Sequence, residues 1–106
     1  MANNTKEGWH DLGVLEEQLE SRVFDLVFDE VWVFRQEGVL RAVSNICPHK
    51  MGPISEGILE SGVIECPWHG FRFDVNSGVS VKERCPSLHV YQTIVENGHL
   101  FVREVK

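Results

Sequence analysis

Two short segments that each pair a cysteine with a histidine constrain this chain more than any other feature of its sequence. The first is Cys47-Pro48-His49, and the second, after sixteen intervening residues, is Cys66-Pro67-Trp68-His69. Thiolate and imidazole are soft to borderline donors that suit zinc and iron. The two segments therefore predict either one four-ligand metal site or a two-iron site with mixed ligands.

A structural zinc site is the first alternative, because two cysteines and two histidines complete a tetrahedral shell. Structural zinc sites usually place the two cysteines in one knuckle and the two histidines in the other, whereas each segment here is mixed. The mixed pattern suits a cluster in which two thiolates hold one iron and two imidazoles hold the other. The third cysteine, Cys85, makes the count odd, which argues against a disulfide framework.

The rest of the sequence is typical of an all-β domain. Short runs rich in Val, Ile and Phe alternate with turns that contain Gly or Asn. We expect one domain over residues 1–106, with both cysteine–histidine segments in loops, about residues 44–74, at one end of a β scaffold. A short helical turn, capped by Asp11, is expected within Leu12–Ser21. The predicted strands are Val23–Phe28, Val31–Arg35, Val39–Val43, Val63–Cys66, Tyr91–Val95 and Leu100–Val105.

The charge balance excludes some classes of function. The chain has 16 acidic and 10 basic side chains, and it shows no basic patch of the kind that binds nucleic acid. No apolar stretch approaches the ~20 residues of a membrane span, and residues 1–7 are polar and lack a signal-peptide core. We expect a cytoplasmic protein, intact at its N-terminus, that binds neither nucleic acid nor a membrane.

With these two segments the sequence resembles the Rieske family. The resemblance covers roughly residues 42–102, and it includes a Ser-Glu-Gly stretch at residues 55–57 and a Ser-Gly turn at residues 77–78. It implies an all-β, Rieske-type antiparallel β-sandwich with one [2Fe–2S] cluster per chain. In the family the cysteine pair binds the inner iron, and the histidine pair binds the outer iron through Nδ1 at an exposed tip. The resemblance thus assigns Cys47 and Cys66 to the inner iron and His49 and His69 to the outer iron.

Two departures from the high-potential members of the family set expectations for this chain. Rieske proteins of quinol-oxidising complexes carry two further cysteines that lock the loops together, and the matching positions here are Gly52 and Trp68. Those proteins also place hydroxyl donors where this chain has Phe71 and Phe73. Fewer donors to sulfur leave the reduced cluster less stabilised. The potential is therefore expected in the lower part of the Rieske range, which runs from about −150 to +300 mV.

The resemblance implies a carrier of single electrons. Nothing in the 106 residues supplies a mononuclear iron domain or another independent catalytic site, so we expect an electron-transfer component of a multicomponent oxidoreductase. The first hypothesis is a ferredoxin between an NAD(P)H-dependent flavin reductase and a terminal Rieske oxygenase. The alternative is the small subunit of assimilatory NAD(P)H nitrite reductase, whose partner is the large reductase subunit.

Several residues with metal-binding side chains are expected to have other roles. The remaining histidines, at positions 10, 89 and 99, lack a neighbouring ligand and are predicted to lie at the surface. Cys85 is predicted to be a plain small side chain in a loop. Trp68 is predicted to shield the metal site, to contact a partner, or simply to pack over its loop.

Overall fold

The fold is built from short antiparallel strands, as expected. The computed structural model describes residues 8–48, 51–68, 70–81 and 85–105, and within this part of the chain there is no α-helix and only one 3₁₀ turn, Ile54–Glu56. No helix of these residues has the length and apolar character needed to cross a membrane. The strands are β1 (His10–Val14), β2 (Ser21–Asp25), β3 (Glu30–Gln36), β4 (Val39–Ser44), β5 (Ile58–Glu60), β6 (Val63–Glu65), β7 (Arg72–Asp74), β8 (Val90–Glu96) and β9 (His99–Glu104).

Two antiparallel sheets make up the molecule. The larger has six strands in the order β1-β9-β8-β4-β3-β2, and the smaller has three in the order β5-β6-β7. Because side chains alternate across a strand, β3 buries Trp32 and Phe34 on one face and Val31 and Val33 on the other. The first face packs against residues of the small sheet, such as Ile64, so the expected all-β sandwich is confirmed.

Three tight hairpins fix the register of the strands. Glu37-Gly38, Ser61-Gly62 and Asn97-Gly98 each place two successive residues at positive φ, as a two-residue type I′ turn requires. They join β3 to β4, β5 to β6 and β8 to β9. All three turns lie where the Gly and Asn residues of the sequence predict them.

The predicted helical turn within Leu12–Ser21 is wrong. Residues His10–Val14 form an edge strand that pairs with β9, and the N–H of Leu15 still donates to the carbonyl of Gly98 at 2.8 Å. Asp11 does not cap a helix, because its Oδ1 accepts a hydrogen bond from the N–H of Gly13, which has φ of +97°. That conformation bends the strand and is incompatible with a right-handed helix.

Candidate metal centre

The first cysteine loop follows β4 and closes on itself through its backbone. The N–H of Cys47 donates to the carbonyl of Gly52 at 2.9 Å, and the N–H of Met51 donates back to the carbonyl of Cys47 at 2.7 Å. Met51 takes a left-handed conformation, with φ of +64°. These bonds hold the Cys47 side chain inward, where it is completely buried.

Buried polar residues anchor the base of this loop. Asn45 receives the N–H of Ser55 on its Oδ1 at 2.7 Å, which ties the two ends of the loop together. Ser44 accepts the N–H of Ile46 at 3.1 Å and donates to Asp29 at 2.9 Å. The carboxylate of Asp29 also accepts the hydroxyl of Tyr91 at 2.7 Å. Burial, with the neighbouring Asp29 carboxylate second, raises the pKa of Tyr91, so the hydroxyl keeps its proton and continues to donate.

The second cysteine loop follows β6 and is a tight turn. The N–H of Cys66 donates to the carbonyl of Phe71 at 2.7 Å, and Gly70 supplies a positive φ of +70° inside the turn. The backbone N–H of Trp68 points back to Sγ of Cys66 at 3.4 Å. Cys66 is completely buried, whereas the indole of Trp68 lies at the surface.

The two loops meet at Gly52 and Trp68. A Cβ atom built on Gly52 would lie 2.8 Å from Cγ of the Trp68 ring and 3.1 Å from Sγ of Cys66. The ring of the second loop is therefore packed flush against the backbone of the first. Gly52 and Trp68 occupy the positions of the two additional cysteines of quinol-oxidising relatives. Here a non-covalent contact joins the loops at these positions.

The two cysteine thiols form a buried pair whose chemistry fits a metal cluster. Burial raises the pKa of Cys66 to about 11, the Trp68 N–H acts in the opposite direction, and the adjacent Cys47 thiol raises the pKa further. Two thiolates side by side in an apolar setting need a cation to neutralise them. Iron bound to both sulfurs would supply that charge, and the Trp68 N–H is already placed to donate to Sγ of Cys66.

The two predicted histidine ligands, His49 and His69, lie outside the described residues. Among the residues that are described, no three side chains of His, Cys, Asp or Glu are grouped so as to hold a metal ion. A complete ligand set therefore needs side chains beyond Cys47 and Cys66.

The other histidines have acidic or aromatic neighbours within the described structure. His89 and His99 meet Glu104 and Asp11 at 2.8 and 3.1 Å, and His10 lies against the ring of Phe28. The N–H of Gly13 lowers the pKa of Asp11, and the contact with His99 lowers it further. Each of these three histidines therefore has a neighbouring group among the described residues.

The surroundings of the cysteine pair are apolar. The side chains packed in the same core are Trp32, Phe34, Val43, Ile54, Ile64, Phe73, Val75 and Leu88. Phe73 is fully buried there, and Phe71 packs against the core from its edge. Cys85 lies in a loop, as expected, and its half-buried side chain packs against this core.

Sequence reasoning missed the polar residues that support the first loop. Asp29 and Tyr91 lie 62 residues apart, so their bond depends on the pairing of the strands. A signal was available for Ser44 and Asn45, since two polar residues follow an apolar run shortly before a metal-binding segment.

Comparison with curated proteins finds relatives of about this length and relatives that are much longer. The ferredoxin component of the naphthalene 1,2-dioxygenase/salicylate 5-hydroxylase systems of Ralstonia sp. is 31% identical over 103 residues, which are 92% of this chain and 96% of that protein. Human apoptosis-inducing factor 3 is 31% identical over 88 residues, which are 82% of this chain. This chain spans only 14% of that longer protein.

Solved structures show the same fold. The ferredoxin of carbazole 1,9a-dioxygenase from Nocardioides aromaticivorans IC177 matches with a TM-score of 0.75 at 31% identity, over 88% of this chain and 96% of that one. A complex of reduced oxygenase and oxidised ferredoxin in carbazole 1,9a-dioxygenase contains a matching chain. The match has a TM-score of 0.75 at 27% identity, over 92% of this chain and 94% of that one. A protein from Mycobacterium tuberculosis, described as an NADH-dependent nitrite reductase small subunit, matches with a TM-score of 0.72 at 22% identity, over 92% of this chain and 96% of that one, which shows the fold alone.

A comparison with protein families matches residues 10–93 to the Rieske [2Fe-2S] domain. This match covers most of the chain and includes both cysteine loops. It agrees with the buried Cys47–Cys66 pair, whose donors fit an iron cluster. The chain therefore belongs to the Rieske [2Fe-2S] domain family, whose cofactor is one Rieske-type [2Fe–2S] cluster per domain.

Proposed function

We propose that this chain is an electron carrier, the ferredoxin component that links an NAD(P)H-dependent flavin reductase to a terminal Rieske oxygenase. The observation that carries the proposal is the near full-length match to the Ralstonia ferredoxin component, which covers 96% of that protein. The proposal places the carrier in the cytoplasm, because its source of electrons, NAD(P)H, is an intracellular reductant.

We propose Cys47, His49, Cys66 and His69 as the cluster ligands, within one domain that takes up residues 1–106 and has its binding loops at about residues 44–74. Two of the four, the cysteines, are the buried pair described above. The histidines are assigned from their spacing and from the family resemblance. A bound cluster takes up and releases one electron at a time.

The residues around the ligands serve this role in three ways. The apolar core excludes water from the sulfurs, so the dielectric constant around them stays low. The N–H of Trp68 donates to Sγ of Cys66 and so favours the more negative, reduced state. The short loops leave Met51 and Trp68 exposed by 72% and 50% beside the cysteines, so that a partner can approach the site closely.

The nitrite reductase small subunit is the second candidate. Its support is the likeness of fold at 22% identity and the resemblance of the first cysteine segment. The ferredoxin proposal has the stronger support, because two ferredoxins at 31% identity match this chain over most of both lengths.

Stopped-flow absorption tests the two candidates directly. The purified holoprotein is mixed with NADH and the flavin reductase of a carbazole- or naphthalene-type system, and then with the oxidised terminal oxygenase. We expect reduction by the reductase and rapid reoxidation by the oxygenase. Electron transfer only to a nitrite reductase large subunit, and not to any oxygenase, would favour the second candidate and reject the first.

A further inference from the structure

The carboxylate of Asp29 is joined to the first cysteine loop through two hydrogen bonds. Its Oδ1 accepts the hydroxyl of Ser44 at 2.9 Å, and the Ser44 hydroxyl accepts the N–H of Ile46 at 3.1 Å. Ile46 directly precedes Cys47 in the chain. The two bonds and the short stretch of backbone that follows place the carboxylate within roughly 14 Å of Sγ of Cys47.

Asp29 and the first cysteine loop also share a pocket. Asp29, Ile46 and Pro48 line a cavity of about 270 Å³, so the carboxylate lies beside the residues on both sides of Cys47. The pocket is at the end of the large sheet where β3 begins and β4 ends. Asp29 is therefore located at the base of the loop that supplies one of the two buried thiols.

The groups around this carboxylate are hydrogen-bond donors. In addition to Ser44, the N–H of Glu30 donates to Oδ1 at 2.9 Å and the hydroxyl of Tyr91 donates to Oδ2 at 2.7 Å. An ionised carboxylate accepts hydrogen bonds and donates none. The surroundings of Asp29 therefore match its negatively charged form.

Among the described residues, no cation forms an ion pair with this carboxylate. The ion pairs of that part of the chain engage other acids, at positions 11, 16, 65 and 104. His89 lines the same pocket, but its Nδ1 contacts Glu104 at 2.8 Å. The charge of Asp29 thus acts on the cysteine loop without a described counter-charge.

Reduction adds one negative charge at the iron and its sulfurs, so a nearby carboxylate opposes it. The opposition weakens with distance and with solvent, and Asp29 is half-buried. At about 14 Å and an effective dielectric constant of about 40, it disfavours reduction about threefold. We propose that Asp29 lowers the midpoint potential of the cluster through its charge. The inference rests on the proposed ligand Cys47, and in the proposed carrier a lower potential makes the reduced protein a stronger electron donor.

The test is protein-film voltammetry of the holoprotein, with iron content and the EPR spectrum of the reduced protein measured on the same samples. Asp29→Asn removes the charge and keeps the shape of the side chain. It is expected to raise the equilibrium constant for reduction about threefold, which is about 30 mV for one electron. An unchanged or lower potential with an intact cluster would overturn the proposal. Wild-type protein without a cluster would overturn the ligand assignment as well, so the two failures are distinguishable.

Two control variants separate charge from geometry and from a general effect of charge. Asp29→Glu keeps the charge but changes the reach to Ser44, so the melting temperature should fall without a rise in potential. Glu16→Gln removes a surface charge that is paired with Arg22. Glu16 follows Leu15, whose N–H binds the β8–β9 turn at the other end of the sheet, so the potential should stay unchanged. A rise in either control equal to that of Asp29→Asn would overturn the proposal.

Asp29→Ser is a second neutral variant, in case Asp29→Asn does not retain its cluster. It also lacks the charge, and it is expected to raise the potential in the same direction. Loss of the cluster from both neutral variants would show that Asp29 serves only to fold the loop, and that result would overturn the proposal.

Discussion

Replacing Gly52 by alanine is expected to separate the two cysteine loops. Gly52 does not have a positive φ, so alanine suits the backbone and the effect arises from the added methyl group alone. That methyl would lie 2.8 and 2.9 Å from Cγ and Cδ2 of Trp68 and 3.1 Å from Sγ of Cys66. Such distances are too short for carbon–carbon contact, so either the indole ring or the Cys66 sulfur must move.

The size of the effect follows from which group moves. The Trp68 ring is half exposed and can swing into solvent. It would then lose about 100 Å² of buried area, which at ~25 cal/mol per Å² costs about 2.5 kcal/mol. Alanine also restricts the unfolded chain relative to glycine, which offsets about 0.5–1 kcal/mol. The net loss of about 1.5–2 kcal/mol corresponds to a fall in melting temperature of roughly 6–16 °C.

The assay is thermal unfolding of the oxidised holoprotein at a fixed scan rate, together with visible circular dichroism of the cluster. Gly52→Ala should lower the melting temperature and change the visible spectrum. Gly38→Ala, at a left-handed turn with open space around it, should lower the melting temperature but leave the spectrum unchanged.

A double variant tests whether the ring is the cause. In a Trp68→Ala background the ring contact is absent, so Gly52→Ala should there cost much less than in wild type. If Gly52→Ala lowers the melting temperature equally in both backgrounds, the packing of Trp68 on Gly52 does not join the loops.

Three further variants address the surroundings of the site. Phe73→Tyr adds a hydroxyl to a fully buried ring and should raise the midpoint potential in protein-film voltammetry by tens of millivolts, up to roughly 100 mV, if it donates to a sulfur; a fall or no change with an intact cluster contradicts the low-potential account. Cys85→Ser should keep the full iron content and potential, and loss of iron would make Cys85 part of the site. Tyr91→Phe removes the bond to Asp29 and should destabilise the holoprotein by about 1.5–3 kcal/mol; an unchanged melting temperature would show that this bond contributes little.

Local signals predicted much of the fold. Strands β3, β4, β8 and β9 were predictable because apolar residues run between Gly-containing turns, and those turns need the positive φ that Gly and Asn tolerate. The strand after Asp11 was not predictable, because an aspartate suits a helix cap as well as a strand bend. Pairing with β9, some 90 residues along the chain, decided between them.

The sequence predicted the ligand types of the candidate site but not the residues that hold its loops in place. Spacing alone identified Cys47 and Cys66, and the structure buries both. The contact between Gly52 and Trp68 requires the two loops to be brought together, which depends on the whole sandwich.

The central claim, a cluster held by two cysteines and two histidines, is tested most directly by EPR spectroscopy of the dithionite-reduced protein. The account predicts one unpaired spin per chain with a mean g value below 2. His49→Ala and His69→Ala should each alter or abolish that signal, whereas His99→Ala, whose ring meets Asp11, should leave it intact. A colourless, EPR-silent protein that contains stoichiometric zinc, or an unchanged signal in either of the first two variants, would contradict the ligand set.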